Sequence, residues 1–359
     1  MAHQGRHVLV ISPEPWAGVH ISKHVLAETL VRMGHRVCFW DPPVHGMRGL
    51  AIAHDQGMDI VHYGHWFRGV NRLPRFLREW YHNAWVRRIE RAQGRPFDVI
   101  WCFDTTRIQE FPSWPVERIL HLVDYDTLDT GDGLIRTADL VITVAEPISE
   151  HARRIAPNAD VHTVGHMVDE RWLEGPDDRS HGATPTTAAY AGNLATLYID
   201  WPMIRAMMER HPEVHFHMYG PHRDDLPDAD FQAVRRLANC TFHGLLRKED
   251  LIPRLRAADI LIFCYKAHEL QAIASNAHKL LEYLSTGNVV VGSYVSSYAG
   301  TDLFLMAHAR KEVLGLFDRA CGEYVALNTE AQRGARIAFA RAHTMPGLVR
   351  WVEERMRGK

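Results

Sequence analysis

Lysine and glutamate stand three residues apart, at 279 and 282, near the start of a helix that the sequence predicts over 276–286. Ser275 or Asn276 is a suitable N-cap, and the spacing of Lys279 and Glu282 places them on one helix face. A helix start offers N–H groups and a partial positive charge, to which Lys279 adds a full charge. Such a start can hold a phosphate, and Glu282 can accept hydrogen bonds from a ribose. The alternative is an amphipathic helix with an exposed Lys–Glu pair.

Two side chains in the first half of the chain could take up a proton. Asp124 follows a strand-like run at 118–123, and a carboxylate there can take the proton of an attacking hydroxyl. His20, near the start of a predicted helix, carries an imidazole whose pKa is ordinarily close to neutrality. In the alternative interpretation, Asp124 caps the helix that follows it, and His20 is a polar residue in a helical first turn.

Short apolar runs alternate with helix-length amphipathic stretches along the chain, which is typical of βαβ units and parallel sheets. We expect strands at 7–11, 36–40, 59–62, 98–102, 118–123, 139–144 and 160–164, then at 187–191, 214–219, 240–243, 259–264 and 288–291. Helices are expected near 20–33, 71–92, 129–137, 147–155, 200–210, 228–238, 248–257 and 276–286, with a helical C-terminus over 329–357.

The length predicts two domains, because a single core stops growing near roughly 250–300 residues and this chain has 359. The polar stretch 174–185 has no apolar periodicity, and we interpret it as a linker. The prediction is an N-terminal domain over 1–173, a C-terminal domain over 186–340, and a C-terminal helix over 341–359 that packs back on the N-terminal domain. Both domains are expected to be α/β, doubly wound and Rossmann-like, and to face a cleft that holds the ligands.

The composition excludes several classes of protein. Lys and Arg number 41 against 43 Asp and Glu, so the net charge of −2 gives no basic surplus for binding nucleic acid. The apolar runs are far shorter than the roughly 20 residues that span a bilayer, and the polar N-terminus does not resemble a signal peptide. The five cysteines form no C-x-x-C pair, which indicates free thiols in a reducing compartment. The 24 histidines show no metal-binding spacing, so we expect no metal site.

The segment around Lys279 resembles a known motif. An Asn at the helix start, then Lys-Leu-x-Glu-Tyr-Leu and Gly-x-Val-Val, is similar to the nucleotide-sugar motif in the C-terminal domain of GT-B glycosyltransferases. The likeness is greatest to bacterial family-4-like and teichuronic-acid-type enzymes of surface polysaccharide assembly. It implies that Ser275, Asn276, Lys279 and Glu282 bind the donor. Many relatives carry a second Glu where this chain has Ala274, so the two-glutamate signature is incomplete.

Other turns match the same family in the same order, so the resemblance covers nearly the whole chain. Gly192 and Asn193 match a Gly-rich turn where a small residue lets the backbone approach a diphosphate, although a plain strand-to-helix turn also uses Gly. The remaining residues that the resemblance places at the donor site are Gly18, Gly220, Phe242, Gly244 and Tyr265. No G-x-G-x-x-G is present, which removes the main sequence support for a hydride-transfer enzyme.

The resemblance also bears on the acidic residues. Asp124 and Asp126 form a D-x-D, the metal-binding tripeptide of GT-A glycosyltransferases, but a second D-x-D at 228–230 shows that one arises easily by chance. A GT-A chain would also lack a complete nucleotide-binding half after it. Among related inverting enzymes, Asp124 aligns with an aspartate that acts as general base. His20 is the second candidate base.

Residues 68–95 depart from the neutral average, with eight Arg and two Glu among the aromatic residues Phe76, Trp80, Tyr81 and Trp85. An Arg-rich amphipathic helix with Trp on its other face suits an anionic membrane surface. Peripheral membrane attachment also occurs among the relatives. The alternative is an ordinary surface helix with Trp80 and Trp85 in the core.

The resemblance implies a hexosyltransferase-like enzyme that moves a sugar from a nucleotide-diphosphate donor, with UDP or GDP, to a hydroxyl of a lipid-linked or surface glycan. No cofactor is expected, because Lys279 and the helix start can offset the charge of the leaving diphosphate. We expect a cytoplasmic protein that binds peripherally to the inner membrane. Two alternatives stay open: a GT-B sugar-nucleotide epimerase, and a catalytically degenerate nucleotide-sugar-binding subunit, which Ala274 would allow.

Overall fold

The computed structural model describes residues 5–18, 20–65, 69–123, 131–175, 182–266 and 278–358. The chain divides into two compact units, one made of Met1–Gly165 with Met345–Lys359 and the other of His166–Thr344. Each unit has its own sheet, and all but one of the neighbouring strand pairs are parallel. The predicted α/β class with two Rossmann-like domains is therefore confirmed.

The first unit contains all seven strands that the apolar runs predict, and one more. In chain order they are β1 (His7–Ile11), β2 (Arg36–Trp40), β3 (Leu50–Asp55), β4 (Met58–Tyr63), β5 (Val99–Cys102), β6 (Glu117–Leu122), β7 (Leu140–Thr143) and β8 (Val161–Thr163). Their order across the sheet is β3-β4-β2-β1-β5-β6-β7-β8. The helices are α1 (Ser22–Arg32), α2 (Arg75–Gln93), α3 (Asp132–Thr137) and α4 (Glu146–Ile155).

The strand that the sequence did not predict, β3, forms an antiparallel hairpin with β4 at the edge of this sheet. Gln56 and Gly57 join the two strands with positive φ angles of 47° and 79°, the conformation of a tight two-residue hairpin turn. Most side chains of β3 are exposed. An exposed edge strand lacks the continuous apolar run that marks a buried parallel strand, which is why the pattern did not reveal it.

The second unit contains the five predicted strands and a short sixth. They are β9 (Thr187–Ala191), β10 (His215–Tyr219), β11 (Cys240–Gly244), β12 (Ile260–Phe263), β13 (Val289–Gly292) and β14 (Leu305–Met306), in the order β11-β10-β9-β12-β13-β14. The helices are α5 (Trp201–Arg210), α6 (Ala229–Val234), α7 (Lys248–Ala257), α8 (His278–Ser285), α9 (Val313–Gly322), α10 (Tyr324–Leu327) and α11 (Glu330–Ala342).

The boundary between the units differs from the sequence prediction at 173. Val168 and Trp172 are buried in the core of the second unit, so the chain enters that unit after Gly165. The chain returns at the other end after Thr344, where the helical C-terminus is broken. Helix α12 (Met345–Arg357) follows and packs against α1 in the first unit.

Each sheet is built outward in two directions from a central pair of strands, β1 with β5 in the first unit and β9 with β12 in the second. The loops that follow such a pair run to opposite sides, which leaves a crevice at the carboxyl ends of the strands. These two switch points are where a ligand of each sheet is expected.

Candidate functional site

The switch point of the second unit brings together three residues that lie far apart in the sequence. Gly192 follows β9, Tyr265 follows β12, and Lys279 lies in the first turn of α8. Helix α8 is fixed against β9 by Tyr283, whose hydroxyl accepts the Ala191 N–H at 2.7 Å. The predicted proximity of Gly192, Tyr265 and Lys279 is therefore present in the structure.

The Lys279 ammonium is enclosed by aromatic side chains. Its Nζ donates to the Tyr190 hydroxyl at 2.9 Å and contacts the Tyr265 hydroxyl. The same atom lies 4.5 Å from the ring centroid of Tyr190 and 4.8 Å from that of Tyr265, with Phe263 behind them at 6.0 Å. A β-carbon added to Gly192 would lie 2.4 Å from Nζ, so the ammonium sits directly against the Gly192 turn.

Lys279 does not form the exposed Lys–Glu pair of the alternative interpretation. Its side chain is 7% exposed, and no carboxylate in the described ranges lies within ion-pair distance of its Nζ. Burial lowers the pKa of Lys279 to about 7, and the charge of Glu282 only partly opposes that shift. The site thus holds a cation that is poorly compensated by the protein, which an anionic ligand can correct.

Glu282 lies one turn further along α8, beside the segment that enters the second unit. Burial and the nearby Asp169 carboxylate raise the pKa of Glu282, while the ammonium groups of Lys248 and Lys279 oppose the shift. Lys248 itself donates to Asp169 at 3.1 Å, and Arg171 donates to the same carboxylate at 2.9 Å. Glu282 is only partly buried, so its carboxylate can still accept hydrogen bonds from a ligand.

The predicted glycine turns lie side by side at the carboxyl ends of β9, β10 and β11. Gly192 N–H donates to Tyr219 C=O at 2.9 Å, and Gly220 N–H donates to Gly244 C=O at 2.8 Å. A β-carbon on Gly220 would come within 1.8 Å of the Gly192 carbonyl oxygen, so no other residue fits there. These N–H groups already have partners, and the glycines act by letting the turns pack closely.

The resemblance implies that Asn193 and Phe242 both bind the donor. In the structure the two side chains lie in different environments. Asn193 is exposed, and its side-chain oxygen accepts the Ala195 N–H at 3.0 Å within its own turn. The ring of Phe242 packs on Trp201 and Phe231, with centroids 6.4 and 5.7 Å away, so it belongs to the edge of the core.

In the first unit, the loop after β1 leads to Gly18, which is exposed and donates its N–H to Pro15 C=O at 3.1 Å. His20 follows, with Nδ1 2.6 Å from the Glu28 carboxylate and Nε2 3.2 Å from Trp16 C=O. Both ring nitrogens face acceptor oxygens. In this conformation each ring nitrogen therefore points toward an oxygen of the protein itself.

Arg107, which the sequence did not reveal, holds the strand ends at the switch point of the first unit. Its guanidinium donates to the carbonyl oxygens of Asp41 at 2.5 Å and Ser12 at 3.1 Å, and its Nε lies 3.0 Å from the Asp104 carboxylate. Although burial opposes its charge, Tyr63 and Asp104 raise the pKa of Arg107. Every residue has a backbone carbonyl, so these partners cannot be recognised from residue types, and no sequence pattern indicated Arg107.

A histidine–carboxylate pair also lies at this edge of the first sheet. His62 Nδ1 is 2.9 Å from the Asp41 carboxylate, which also accepts the Trp16 N–H at 2.8 Å. Burial raises the pKa of Asp41, and the contacts with Trp16 and His62 oppose the shift.

Within the described ranges, no three His, Cys, Asp or Glu side chains are grouped so that they could hold a metal ion. Asp124, Ser275, Asn276 and Ala274 lie outside the described residues.

Helix α2 divides the aromatic residues of the basic segment between core and surface. Tyr81 and Trp85 are fully buried, whereas Phe76 is 67% and Trp80 is 61% exposed. The alternative interpretation, an ordinary surface helix with both tryptophans in the core, therefore fits Trp85 and not Trp80. Among the helices that the structure describes, none is long and apolar enough to cross a bilayer.

No protein-family model and no curated protein sequence matches the chain. Solved structures do match it over nearly its full length. Sucrose-phosphate synthase from Thermosynechococcus elongatus is similar with a TM-score of 0.70 at 12% identity, covering 98% of both chains. Anabaena HepE in complex with UDP has a TM-score of 0.67 at 11% identity, covering 99% of this chain and 100% of its own.

A third similar structure is WaaG, a glycosyltransferase involved in lipopolysaccharide biosynthesis, with a TM-score of 0.63 at 12% identity over 95% of this chain and 98% of its own. At such low identities the likeness concerns the fold. The chain has the fold of GT-B glycosyltransferases, with two parallel-sheet Rossmann-like domains.

Proposed function

We propose that the protein is a glycosyltransferase that moves a sugar from a nucleotide-diphosphate donor to a hydroxyl group. The observation that carries this proposal is the buried Lys279 ammonium at the switch point of the second unit, which has aromatic and phenolic neighbours but no carboxylate partner within the described ranges. A diphosphate supplies the missing negative charge, and a sheet of this kind binds its ligands at this edge.

In the proposed complex, Lys279 contacts the diphosphate and Glu282 accepts hydrogen bonds from the ribose. The close-packed turns at Gly192 and Gly220 leave room for the backbone of the site to approach the nucleotide. Ser275 and Asn276 remain proposed N-cap residues of the helix that carries Lys279. Lys279 also offsets the charge of the departing diphosphate, so we propose that transfer needs no divalent cation and continues in EDTA.

Asp124 is the proposed general base. As the acceptor oxygen attacks the anomeric carbon, its proton passes to the Asp124 carboxylate, and the bond between the sugar and the diphosphate breaks with its electron pair on the diphosphate. His20 is the weaker candidate because Glu28 and Trp16 already engage both ring nitrogens. Asp124→Asn should abolish transfer and leave nucleotide affinity intact. Retained turnover would remove Asp124 from this role.

A thermal-shift panel tests the donor class directly. UDP, GDP, dTDP and CMP are compared alone and with their sugars, and UDP is the first choice because a similar structure holds it. A nucleoside diphosphate should raise the unfolding temperature, and its nucleotide sugar should do so at least as strongly. If none of the nucleotides shifts the unfolding temperature, the proposed donor site is wrong.

Product analysis separates transfer from the two alternatives. A transferase releases the nucleoside diphosphate slowly when water replaces the acceptor. An epimerase changes the sugar of the donor without releasing the diphosphate. A degenerate binding subunit gives the thermal shift but neither product. Each outcome selects one of the three functions.

The exposed side chains of α2 favour the proposal that the acceptor is lipid-linked. Phe76, Leu77 and Trp80 are exposed together near the start of this helix, and the exposed Arg75 and Arg87 side chains lie on the same element. Exposed aromatic residues beside arginine are suited to the interface of an anionic membrane. We propose that this surface rests on the bilayer that carries the acceptor.

Vesicle sedimentation tests this membrane contact. The protein should bind vesicles that contain phosphatidylglycerol and not vesicles of phosphatidylcholine alone. The double variant Phe76→Ala with Trp80→Ala should lose that binding, whereas Val325→Ala should not, although Val325 is equally exposed in the second unit at 61%. Equal sedimentation of the two variants would contradict the proposal.

A further inference from the structure

The Tyr190 hydroxyl forms hydrogen bonds with both the Lys279 ammonium and the Tyr265 hydroxyl. Its hydroxyl accepts a hydrogen bond from Lys279 Nζ at 2.9 Å and donates to the Tyr265 hydroxyl at 3.3 Å. Tyr265 contacts the same Nζ, so the three polar groups form a closed triangle. Tyr190 is fully buried in β9, a strand whose other apolar residues are alanines, and a buried tyrosine hydroxyl needs a partner.

Among the residues that the structure describes, few charged groups lie near this triangle. On α8, Glu282 lies one turn from Lys279 and His278 precedes it. Tyr198, before α5, packs edge-on against Tyr265 with ring centroids 4.7 Å apart. Neutral oxygens and ring faces stabilise an ammonium less than a carboxylate does, so only part of the cost of burying its charge is recovered.

We propose that Tyr190 is a positioning residue of the nucleotide site, whose hydroxyl holds the Lys279 ammonium charged and against the Gly192 turn, so that binding of a diphosphate is linked to the protonation of that amine. This inference rests on the proposed function of Lys279. When a diphosphate binds to a molecule with a neutral amine, Nζ takes one proton from solvent and no other bond changes.

The linkage has a defined direction. Because the pKa of Lys279 is lowered to about 7, the charged fraction falls as the pH rises through neutrality. The apparent affinity is reduced by the fraction of molecules that are not competent to bind. Nucleotide affinity should therefore fall by about tenfold for each pH unit well above that pKa.

A double-mutant cycle tests whether Tyr190 acts through Lys279. Affinities for UDP, or for GDP if the nucleotide panel selects it, are measured for wild type, Tyr190→Phe, Lys279→Ala and the double variant. Tyr190→Phe should weaken binding at neutral pH by about tenfold, the loss of one hydrogen bond to a charged group. In the Lys279→Ala background the same substitution should change affinity by less than about twofold, because neighbouring sites that act together are not additive.

The pH profile separates positioning from packing. In Tyr190→Phe the fall in affinity should begin at lower pH, because the lost phenol oxygen stabilised the ammonium. Lys279→Ala should remove this pH dependence, and it also corrects for titration of the nucleotide itself. Tyr324→Phe is the matched control. This tyrosine of the second unit is also buried, but its hydroxyl lies 3.3 Å from the carboxylate of Asp259, at the amino end of β12 and away from the carboxyl ends that carry the site, so the profile should match wild type.

The outcomes distinguish this inference from the proposed function. If Lys279→Ala binds the nucleotide as wild type does, the phosphate role of Lys279 is wrong. If Lys279→Ala weakens binding while Tyr190→Phe acts equally in both backgrounds, Tyr190 only fills space. Should Tyr190→Phe fail to fold, Tyr265→Phe enters the same cycle, since its hydroxyl contacts the same Nζ.

Discussion

Each unit places a buried cation at the switch point of its sheet, but the partners that surround the charge differ between the two units. Arg107 in the first unit donates to several carbonyl oxygens and lies beside a carboxylate, and its pKa is raised. Lys279 in the second unit has two phenol hydroxyls and ring faces, and its pKa is lowered. A cation whose partners are all supplied by the protein holds the structure together. A cation that has no carboxylate partner among the described residues is available for a ligand.

The same contrast appears in how each unit holds its strand ends. In the first unit a charged side chain gathers the loops after β1 and β2. In the second unit the turns after β9, β10 and β11 pack backbone against backbone through glycine. Because these turns pack through backbone atoms, the Lys279 ammonium is not needed to hold them together.

Removing the Arg107 side chain should have the largest effect on stability. Arg107→Met removes the guanidinium from several carbonyl oxygens and from the buried Asp104 carboxylate, which keeps only its hydrogen bonds from Thr106 and the backbone, so the free energy of unfolding should fall by about 3–5 kcal/mol. Denaturant unfolding measures the change. The control is Arg95→Met, which removes an exposed pair with Asp98 and should cost less than about 1 kcal/mol. Equal losses of unfolding free energy in the two variants would show that Arg107 does not hold the strand ends together.

A side chain on Gly220 should have a smaller but still large effect. Gly220→Ala places a methyl group 1.8 Å from the Gly192 carbonyl oxygen and strains a φ of +136°, so we expect a loss of about 3 kcal/mol in unfolding free energy. Gly315→Ala is the matched control, because nothing lies within 4 Å of its β-carbon in α9. That variant should be stabilised by about 0.5–1 kcal/mol. Similar results for both glycines would contradict the close packing of the turns.

Replacing Lys279 should have the smallest effect on stability and the opposite sign. Lys279→Met removes a buried charge, so the unfolding temperature should rise by roughly 2–4 °C near neutral pH, the shift expected for about 1 kcal/mol in a unit of this size. The folded-state pKa of about 7 lies below the ordinary value, so between about pH 7 and 10 the folded protein binds fewer protons than the unfolded chain, and wild-type stability rises with pH.

The advantage of Lys279→Met should therefore be greatest at about pH 6 and shrink by about pH 9. Scanning calorimetry across that range measures it. A stability gap that stays constant with pH would mean that the Lys279 amine is not perturbed by burial.

The sequence predicted most of the fold because buried parallel strands carry continuous apolar runs. Strands β1, β2 and β9 begin and end where these runs predict. It missed β3, whose side chains are mostly exposed, and β14, which has only two residues. It also placed Trp172 outside the second core, because the burial of a residue near a boundary depends on which unit it packs against.

The sequence singled out Lys279 through the pattern of a helix start and Gly192 through the resemblance of its turn to a family motif. It did not reveal the burial of Lys279 or the role of Tyr190, because the contacts join residues that are 89 positions apart in the chain. It missed Arg107 for a related reason, since most of its partners are backbone oxygens. Charge compensation is a property of the packed structure, and spacing alone does not report it.

We expect the second unit to bind a nucleoside diphosphate through Lys279. Isothermal titration calorimetry at about pH 6, below the pKa of this lysine, compares wild type with Lys279→Ala. The nucleoside diphosphate that the panel selects, UDP or GDP, is titrated beside its monophosphate. We predict that the substitution weakens diphosphate binding at least about tenfold and affects the monophosphate less. Equal diphosphate affinities for the two proteins would show that Lys279 does not bind the diphosphate.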